Sequence, residues 1–429
     1  MKMKTSDTVA SSRIINATPF FYGWVVLVVG TLGIIMIGPS QTFTVSIFID
    51  YFIQDLGISR ATVALIYGLA TIAASLLLPI TGRLFDRHGA RQLGLIAALG
   101  LGLACLSLSL VQGVLTLFMA MVALRFMGFG SLQLASNNMI ALWFVRRRGM
   151  VMGLAGLSLG AGFLIFPALT ESLISQFDWR GAWIGLGVLV LVVMLPVVWL
   201  FFRHKPEAYG LLPDGDIAQS NGDNSQSIIP TSSEENWTLA EARRTGAFWL
   251  FLIALSTIAM LMGGLVFHQL SLFEVRGLSR EWGVRSFQIT SIFTIIGNLT
   301  MGRLVDRYST RRMLALTLML AAGSLILVQT MSNTPAAFIY GALLGLIGGC
   351  FRVIDSFVWA RYYGRRHLGS IRGATMIGTL GSTALGPYPL GLSFDYLGSY
   401  TPVLWGLIAL AGGIIVSTFF IQRPIKPDA

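Results

Sequence analysis

Gly82-Arg83-Leu84-Phe85-Asp86-Arg87-His88-Gly89-Ala90-Arg91 is repeated 220 residues later as Gly302-Arg303-Leu304-Val305-Asp306-Arg307-Tyr308-Ser309-Thr310-Arg311. Each copy stands between the second and the third of a series of long apolar runs in its half of the chain. A charged loop at the same place in both halves predicts that this chain of 429 residues consists of two similar parts.

The composition places both parts in a membrane. Hydrophobic residues make up 55% of the chain and charged residues 11%, against about 25% charged in an ordinary soluble domain, and the mean hydropathy is +0.74. A soluble globule needs more polar surface than this, so a cytosolic enzyme is excluded. In a soluble protein the net charge of +11 would suggest nucleic-acid binding. Here the basic residues flank apolar runs, and we expect no nucleic-acid partner.

The apolar runs predict an all-α membrane protein with twelve transmembrane helices in two pseudo-symmetric six-helix bundles. A span needs about 20 apolar residues, and two of the runs are long enough for two spans each, with turns at Gln112-Gly113 and at 332–335. The predicted helices lie near 21–48, 61–84, 92–110, 114–144, 150–174, 182–202, 247–275, 286–304, 313–330, 335–363, 371–394 and 400–421.

The basic residues predict the orientation. The two tails and every second loop hold 23 Lys and Arg residues, and the opposite loops hold five. By the positive-inside rule both termini are cytoplasmic, in the inner or plasma membrane of the cell. We therefore expect an N-terminal tail over 1–20, bundles over 21–202 and 247–421, a partly disordered cytoplasmic linker over 203–246, and a tail over 422–429.

The repeated loop resembles the signature loop of the major facilitator superfamily, Gly-x-x-x-Asp-Arg-x-Gly-x-Arg, although Ser309 replaces the second glycine in the second copy. Three further segments are similar to bacterial members of the monocarboxylate and oxalate/formate transporter group, namely Tyr22–Val26, Pro206–Gly215 and Ala360–Arg366. The resemblance implies two parallel six-helix repeats that rock about a central substrate site.

The charged loops are candidate gates. The resemblance implies that the two halves meet near these loops, so we expect Asp86 to cap the helix that begins near Ile371–Gly373, and Asp306 to cap the helix near Gly149–Met152. Such contacts would bias an equilibrium between two states; the alternative is that the arginines only set topology. The candidate gating residues are Gly82, Asp86, Arg87, Gly89, Arg91, Gly302, Asp306, Arg307 and Arg311.

Arg352 is the leading candidate for substrate binding. A charge inside a span costs about 2.5–3.5 kcal/mol on insertion scales, and a guanidinium can bind a carboxylate through two parallel hydrogen bonds. Asp355 and Trp359 follow at i+3 and i+7 on the same face. We expect Asp355 to neutralise Arg352 when the site is empty and to take up a proton when substrate displaces it. The alternative is a permanent structural ion pair.

Other polar residues inside the predicted spans complete the candidate set. His268 is either a second proton-coupling residue or an interfacial hydrogen-bonding residue, and the others either line the cavity or join helices. These other candidates are Gln133, Asn137, Gln41, Tyr67, Asn298 and Arg125. Charges that the resembled animal monocarboxylate transporters carry are absent, because Asn298, Thr294 and Gln41 occupy or adjoin those places.

These features predict a secondary active transporter of a small organic anion, a mono- or dicarboxylate, coupled to protons and working by rocker-switch alternating access. An efflux transporter for amphipathic compounds is the alternative, and a non-transporting sensor is a remote one. We expect no enzyme activity, cofactor or metal, because Cys105 and Cys350 lie in apolar runs and the four His residues are scattered. The expected partners are the anion, the proton and the lipid bilayer, and the expected functional unit is the monomer.

Overall fold

The computed structural model describes residues 15, 17–215, 237–364, 367–422 and 424, without the side chains of 148, 149, 306 and 369. The predicted tails lie mostly outside these residues. The sequence predicts a disordered stretch of the linker from Asp214 to Asn236; residues 216–236 lie outside the described set, whereas Asp214 and Gly215 belong to a short 3₁₀ turn.

The described residues form helices and no strands, which confirms the predicted all-α class. Eight continuous helical stretches are long and apolar enough to cross a membrane. Two of them contain a break and count as two helices each, and two further helices bring the number in the described residues to twelve. The twelve are α1 (Gly23–Leu56), α2 (60–88), α3 (90–109), α4 (Val114–Trp143), α5 (148–177), α6 (179–201), α7 (246–275), α8 (Arg280–Arg307), α9 (Thr310–Thr330), α10 (Thr334–Tyr363), α11 (368–397) and α12 (Thr401–Thr418).

Two residues with positive φ each divide a long helical stretch into two helices. Gly89 has φ 81° between α2 and α3, a conformation that glycine adopts without the steric cost that a Cβ brings. Asp178 has φ 65° between α5 and α6, and its Oδ1 accepts a hydrogen bond of 2.7 Å from the Gly181 N–H. Asp178 is therefore the cap that begins α6, as its short acceptor side chain favours.

Helix α1 is longer than its sequence predicted. It was expected to end near residue 48, before the polar residues Asp50 and Asp55, but it continues to Leu56 after a 3₁₀ turn at Gly38–Ser40. Asp50 can remain in a helix here because Arg60 donates a hydrogen bond to it at 2.5 Å. Charge pairing therefore extends the helix beyond its apolar run.

The described residues form two compact units. Unit 1 holds the described parts of Met1–Gln41, Ala73–Gly162 and Ser172–Ser225, and unit 2 holds those of Thr42–Ile72, Phe163–Glu171 and Gln226–Ala429. Unit 2 thus combines parts of α1, α2 and α5 with all the helices after the linker. The units do not coincide with the two halves of the sequence repeat, and the predicted bundle boundaries stay a prediction.

In unit 1, the start of the linker is attached to the loop before α5. The buried carboxylate of Asp214 accepts hydrogen bonds from the backbone N–H groups of Val145, Arg146 and Arg147 at 2.9, 2.7 and 3.1 Å. Burial alone would raise the pKa of Asp214, but the three donors hold that pKa below its ordinary value. This contact explains the structural use of the segment Pro206–Gly215, which the sequence marked only by resemblance.

In unit 2, α8 packs along α10 over a stripe of glycines four residues apart. A Cβ on Gly341 would lie 2.9 Å from the Ser286 carbonyl oxygen, one on Gly345 would overlap the Thr290 carbonyl, and one on Gly349 would lie 2.5 Å from the Asn298 nitrogen. Small residues at this spacing let two helix backbones approach closely. The stripe therefore fixes the position of α10, which carries Arg352.

The glycine-rich stretches 153–162 and 378–381 of the sequence predict two further close-packing surfaces. At Gly153, Gly156 and Gly381, however, a Cβ would have no neighbour within 4 Å among the described residues. That prediction is wrong there. It is correct at Gly378, where a Cβ would lie 2.9 Å from the side chain of Leu252.

The glycine stripe predicts that Gly345→Ala destabilises unit 2. The added methyl group would meet the α8 backbone, which cannot move as a flexible side chain can, so we expect a loss of about 1–3 kcal/mol. Gly323→Ala in α9 is the matched control, because no described atom lies within 4 Å of its Cβ position; it should be neutral or stabilising by up to about 1 kcal/mol. Thermal unfolding in detergent measures both, and equal effects would contradict the packing argument.

The Asp214 contact predicts a pH dependence. A carboxyl group with a depressed pKa in the folded state contributes stability above its unfolded pKa and loses it as the pH falls through its folded pKa. At pH 7 Asp214→Asn should lower the free energy of unfolding by about 1–3 kcal/mol. The difference from the wild type should shrink below about pH 4. Glu207→Gln, at an exposed residue of the same segment, is the control, and a pH-independent difference for Asp214→Asn would refute the assignment.

Candidate functional site

Arg352 lies in α10 with an unpaired guanidinium. At 1.5 Å per residue it is about 27 Å from the first residue of α10 and about 16 Å from the last, so it is well inside the helix. Its side chain is half-buried. Among the described residues, none forms a hydrogen bond or an ion pair with it. A guanidinium inside a helical unit without an anion is an uncompensated charge.

The expected ion pair between Arg352 and Asp355 is wrong. Asp355 Oδ2 accepts a hydrogen bond of 3.0 Å from Arg372 Nη2 at the start of α11, and Asp355 Oδ1 accepts one of 3.4 Å from Trp359 Nε1. The reason lies in helix geometry, since side chains point toward the helix N-terminus. Arg352 therefore extends away from Asp355, and an acid placed after its base is the weaker order.

Trp359 is part of a buried aromatic cluster. It is fully buried, and its ring centroid lies 5.5 Å from that of Phe248, 6.3 Å from that of Phe251 and 6.3 Å from that of Tyr363. The cluster joins α7 to α10. Its rings pack against one another, and the Trp359 indole N–H donates to Asp355; the predicted contact of Trp359 with a substrate stays a prediction.

Arg125 in unit 1 is compensated in part by its own surroundings, although its buried Nε has no hydrogen-bond partner among the described residues. It is buried, its Nη1 donates a hydrogen bond of 2.6 Å to the Ser40 carbonyl, and its guanidinium lies 4.5 Å from the centre of the Phe129 ring. It also begins a π-helical segment, Arg125–Leu132, in the middle of α4. Such segments often occur at functional sites, but the bonds of Arg125 support the structural role.

Three further candidates in unit 1 lie near this π-helical segment in the chain or the structure. Gln133 and Asn137 are half-buried and Gln41 is buried. Gln133 Oε1 and Gln41 Nε2 are buried and have no hydrogen-bond partner. A buried polar atom without a partner costs about 1–3 kcal/mol. These two amides are therefore candidates for a hydrogen bond to a ligand or to water.

The remaining candidates lie in unit 2 and differ in their surroundings. Tyr67 is buried, and its hydroxyl lies 2.6 Å from Thr42 Oγ1, which fits the helix-joining alternative. Asn298 is half-buried on α8, beside the glycine stripe. His268 is buried, with Nε2 at 2.8 Å from the Pro387 carbonyl oxygen. Only an N–H can pair with that oxygen, so the contact supports hydrogen bonding by His268 and not a proton relay.

The repeated loops differ between their copies. A Cβ on Gly89 would lie 3.2 Å from His204, whereas a Cβ on Gly82 or Gly302 would have no neighbour within 4 Å among the described residues. The side chain of Asp306 lies outside the described set. The expected caps of Asp86 and Asp306 stay predictions. Among the candidate gating residues, the exposed side chains are those of Asp86, Arg87, Arg91, Arg307 and Arg311.

A cluster of charges in unit 2 escaped the sequence reasoning. Arg280 Nε donates to Glu171 Oε1 at 2.9 Å, Arg280 Nη2 donates to the Ile47 carbonyl at 2.7 Å, and Arg280 Nη1 lies 3.6 Å from Asp50 and 3.7 Å from Glu274. We call these residues with Arg60 the Arg280 cluster. Four of its residues, Asp50, Arg60, Glu274 and Arg280, line a cavity of about 520 Å³. The cluster connects α1, α5, α7 and α8.

The Arg280 cluster could have been predicted from the sequence, because charged residues are rare within or beside the apolar runs. Asp50, Glu171 and Glu274 each interrupt or end an apolar run, and a carboxylate there needs a partner. The sequence reasoning counted Arg60 and Arg280 only as markers of orientation. Among the described residues, no group of three or more His, Cys, Asp or Glu side chains could hold a metal ion.

Comparisons with known proteins agree on the family. A family model of the Major Facilitator Superfamily matches residues 30–297 and 286–429. Monocarboxylate transporter 12 of Rattus norvegicus is 24% identical over 97% of this chain and 89% of its own length. The uncharacterized MFS-type transporter YhjX of Escherichia coli is 21% identical over 83% of this chain and 84% of its own.

Solved structures share the fold at low identity. A bacterial homologue of the human lysosomal transporter Spinster, in an inward-facing and occupied conformation, has a TM-score of 0.67 at 15% identity and covers 94% of this chain and 95% of its own. A variant of the nucleoside transporter NupG has a TM-score of 0.71 at 13% identity over 94% of this chain and 100% of its own. The family match, the twelve helices and these folds agree, and the chain belongs to the Major Facilitator Superfamily of transporters, not to the enzymes.

Proposed function

We propose that this transporter moves a small organic anion, a mono- or dicarboxylate, and that Arg352 binds its anionic group. The observation that carries the proposal is the unpaired, half-buried guanidinium of Arg352 in α10. A carboxylate accepts two parallel hydrogen bonds from a guanidinium and removes the cost of the isolated charge. The site thus gains most from a substrate that carries a negative charge.

The charges around Arg352 support an anionic substrate. Asp355 pairs with Arg372 at 3.0 Å, so these two side chains are mutually neutralised and Arg352 keeps its full positive charge. Had Asp355 paired with Arg352, an incoming carboxylate would have had to displace it. In this arrangement an anion binds without that competition.

Relatives add a second line of support. The name of the rat relative assigns it to monocarboxylate transport, and its alignment spans nearly this whole chain. This chain has uncharged residues, Asn298, Thr294 and Gln41, where the sequence comparison with that group expected charges. In our proposal Arg352 therefore recognises the carboxylate. The binding experiment described below measures which mono- or dicarboxylates the protein accepts.

Proton coupling is proposed to pass through Asp355. Both of its oxygens accept hydrogen bonds, one from Arg372 and the other from Trp359. The contact with the Arg372 guanidinium favours the charged form of a carboxylate, and breaking that contact removes this preference. We propose that a movement of α11 relative to α10 during transport opens the Arg372 bond and exposes the carboxylate to protonation.

Alternating access in this proposal uses the Arg280 cluster as one gate. Arg280 holds α1, α5 and the α7–α8 region together through one guanidinium. Opening that side of the protein requires its hydrogen bonds to Glu171 and to the Ile47 carbonyl to break. The residues of the repeated loops, Asp86 and Asp306 among them, are proposed to serve the opposite side.

The efflux alternative has less support. A site for amphipathic compounds needs an exposed aromatic lining, whereas the rings of the cluster around Trp359 pack against one another. Our proposal also includes a functional monomer and a location in the inner or plasma membrane. The basic loops support cytoplasmic termini.

The anion site predicts a loss of ligand stabilisation in Arg352→Gln. Purified wild-type protein should show a higher thermal unfolding temperature with at least one mono- or dicarboxylate, and Arg352→Gln should weaken that binding by roughly tenfold or more, since a charge-assisted pair is lost. Arg285→Gln, on an exposed residue, is the matched control and should respond like the wild type. Carboxylate stabilisation that survives in Arg352→Gln would refute the site.

The coupling step predicts a separation of two transport modes. Asp355→Asn should lose accumulation driven by a pH gradient, because the amide cannot take up a proton, while exchange of substrate across the membrane continues. Uptake and exchange in proteoliposomes measure the two modes. The Gly323→Ala variant serves as a control for reconstitution. Unchanged pH-driven accumulation in Asp355→Asn would remove Asp355 from the coupling scheme.

A further inference from the structure

A polar cavity lies beside the loop between α8 and α9, the first residue of α9 and the end of α10. Its lining residues have no role in the transport proposal. The cavity measures about 230 Å³ and is lined by Ser309, Thr310, Arg361 and Tyr362. We call it the α9 cavity. All four lining residues can donate hydrogen bonds through their side chains, and none carries a negative charge.

The first turn of α9 presents unpaired donors at this cavity. Ser309 is the N-cap residue but its side chain makes no capping bond. Thr310 is 1% exposed, and the hydroxyl groups of both residues are buried without a hydrogen-bond partner. The backbone N–H groups of Thr310 and Arg311 also have no acceptor among the described residues. Four donors at a helix N-terminus are thus left without an acceptor.

The first copy of the repeat shows how such an N-terminus is satisfied when no ligand is needed. There Gly89 and Ala90 occupy the places of Ser309 and Thr310, and neither has a hydroxyl group. The Ala90 N–H donates a hydrogen bond of 3.3 Å to His204 Nδ1. In the second copy two hydroxyl groups are added and the protein acceptor is missing among the described residues. The difference points to an acceptor that comes from outside the chain.

The charge at the α9 cavity is positive. Arg361 Nη1 donates to the Val305 carbonyl at 3.0 Å, which leaves the other guanidinium donors of this lining residue without a described partner. No Asp or Glu occurs from 356 to 394, and Asp306 is the one acid from 298 to 312. Four further arginines lie in the same loop region, namely Arg303, Arg307, Arg311 and Arg312.

We propose that the α9 cavity binds a phosphate group. The helix N-terminus supplies backbone N–H donors and a favourable dipole, the hydroxyl groups of Ser309 and Thr310 supply two further donors, and Arg361 supplies the charge. The same chemistry fits the headgroup of an anionic phospholipid and a soluble phosphate. The experiment below separates these two sources.

The test measures thermal unfolding of delipidated, purified protein against three probes: phosphatidylglycerol, diacylglycerol and inorganic phosphate. Diacylglycerol has the acyl chains without the phosphate. Thr310→Val keeps the side-chain shape and removes the hydroxyl group, and should weaken binding roughly fivefold. Arg361→Gln removes the charge and should weaken it roughly tenfold or more. Arg244→Gln, on an exposed arginine of the linker, is the matched control.

A rise in unfolding temperature with phosphatidylglycerol but not diacylglycerol, reduced in Thr310→Val and Arg361→Gln and kept in Arg244→Gln, supports the site with a lipid as the source. The same pattern with inorganic phosphate supports it with a soluble source. If neither phosphate probe raises the temperature, or if Thr310→Val responds as the wild type does, the proposal is overturned. Thr310→Val keeps the test decisive if Arg361→Gln fails to fold.

Discussion

The cost of a positive charge inside an apolar helical unit is the constraint on which the site depends. Each buried cation needs a compensating group. Arg125 has the Ser40 carbonyl and the face of Phe129, and Arg372 has Asp355. Arg352 has no such partner among the described residues. In our proposal a transported anion supplies the compensating charge in each cycle.

The packing of unit 2 keeps this unpaired charge in place. The glycine stripe holds α10 against α8, and the aromatic cluster around Trp359 holds it against α7. Both contacts involve rigid groups, backbone in one case and rings in the other. The polar contacts at the ends of the helices are of a different kind, because the Asp355–Arg372 pair and the Arg280 cluster can break and reform. Rigid contacts thus hold α10 and Arg352 in position. The ionic contacts are suited to a change between two conformations.

The repeat and the apolar runs were sufficient to predict the twelve helices, because a span has a fixed minimum length and its charges are rare. They missed the end of α1, where ion pairing overrides hydropathy. In the site, Arg352 and Asp355 were singled out from the sequence, but the partner expected for Asp355 was wrong and the Arg280 cluster was missed. Arg372 follows Asp355 by 17 residues on another helix, and helical periodicity says nothing of such contacts. The packing glycines were misplaced for the same reason, since spacing alone does not show what lies opposite.

A structure determined with a bound carboxylate tests the central claim most directly. The compound is to be one that raises the unfolding temperature of the wild type. The account predicts a carboxylate oxygen within about 2.7–3.2 Å of the Arg352 guanidinium nitrogens, with Asp355 in contact with a group other than Arg352. A carboxylate bound elsewhere, with the Arg352 side chain directed toward lipid, would contradict it.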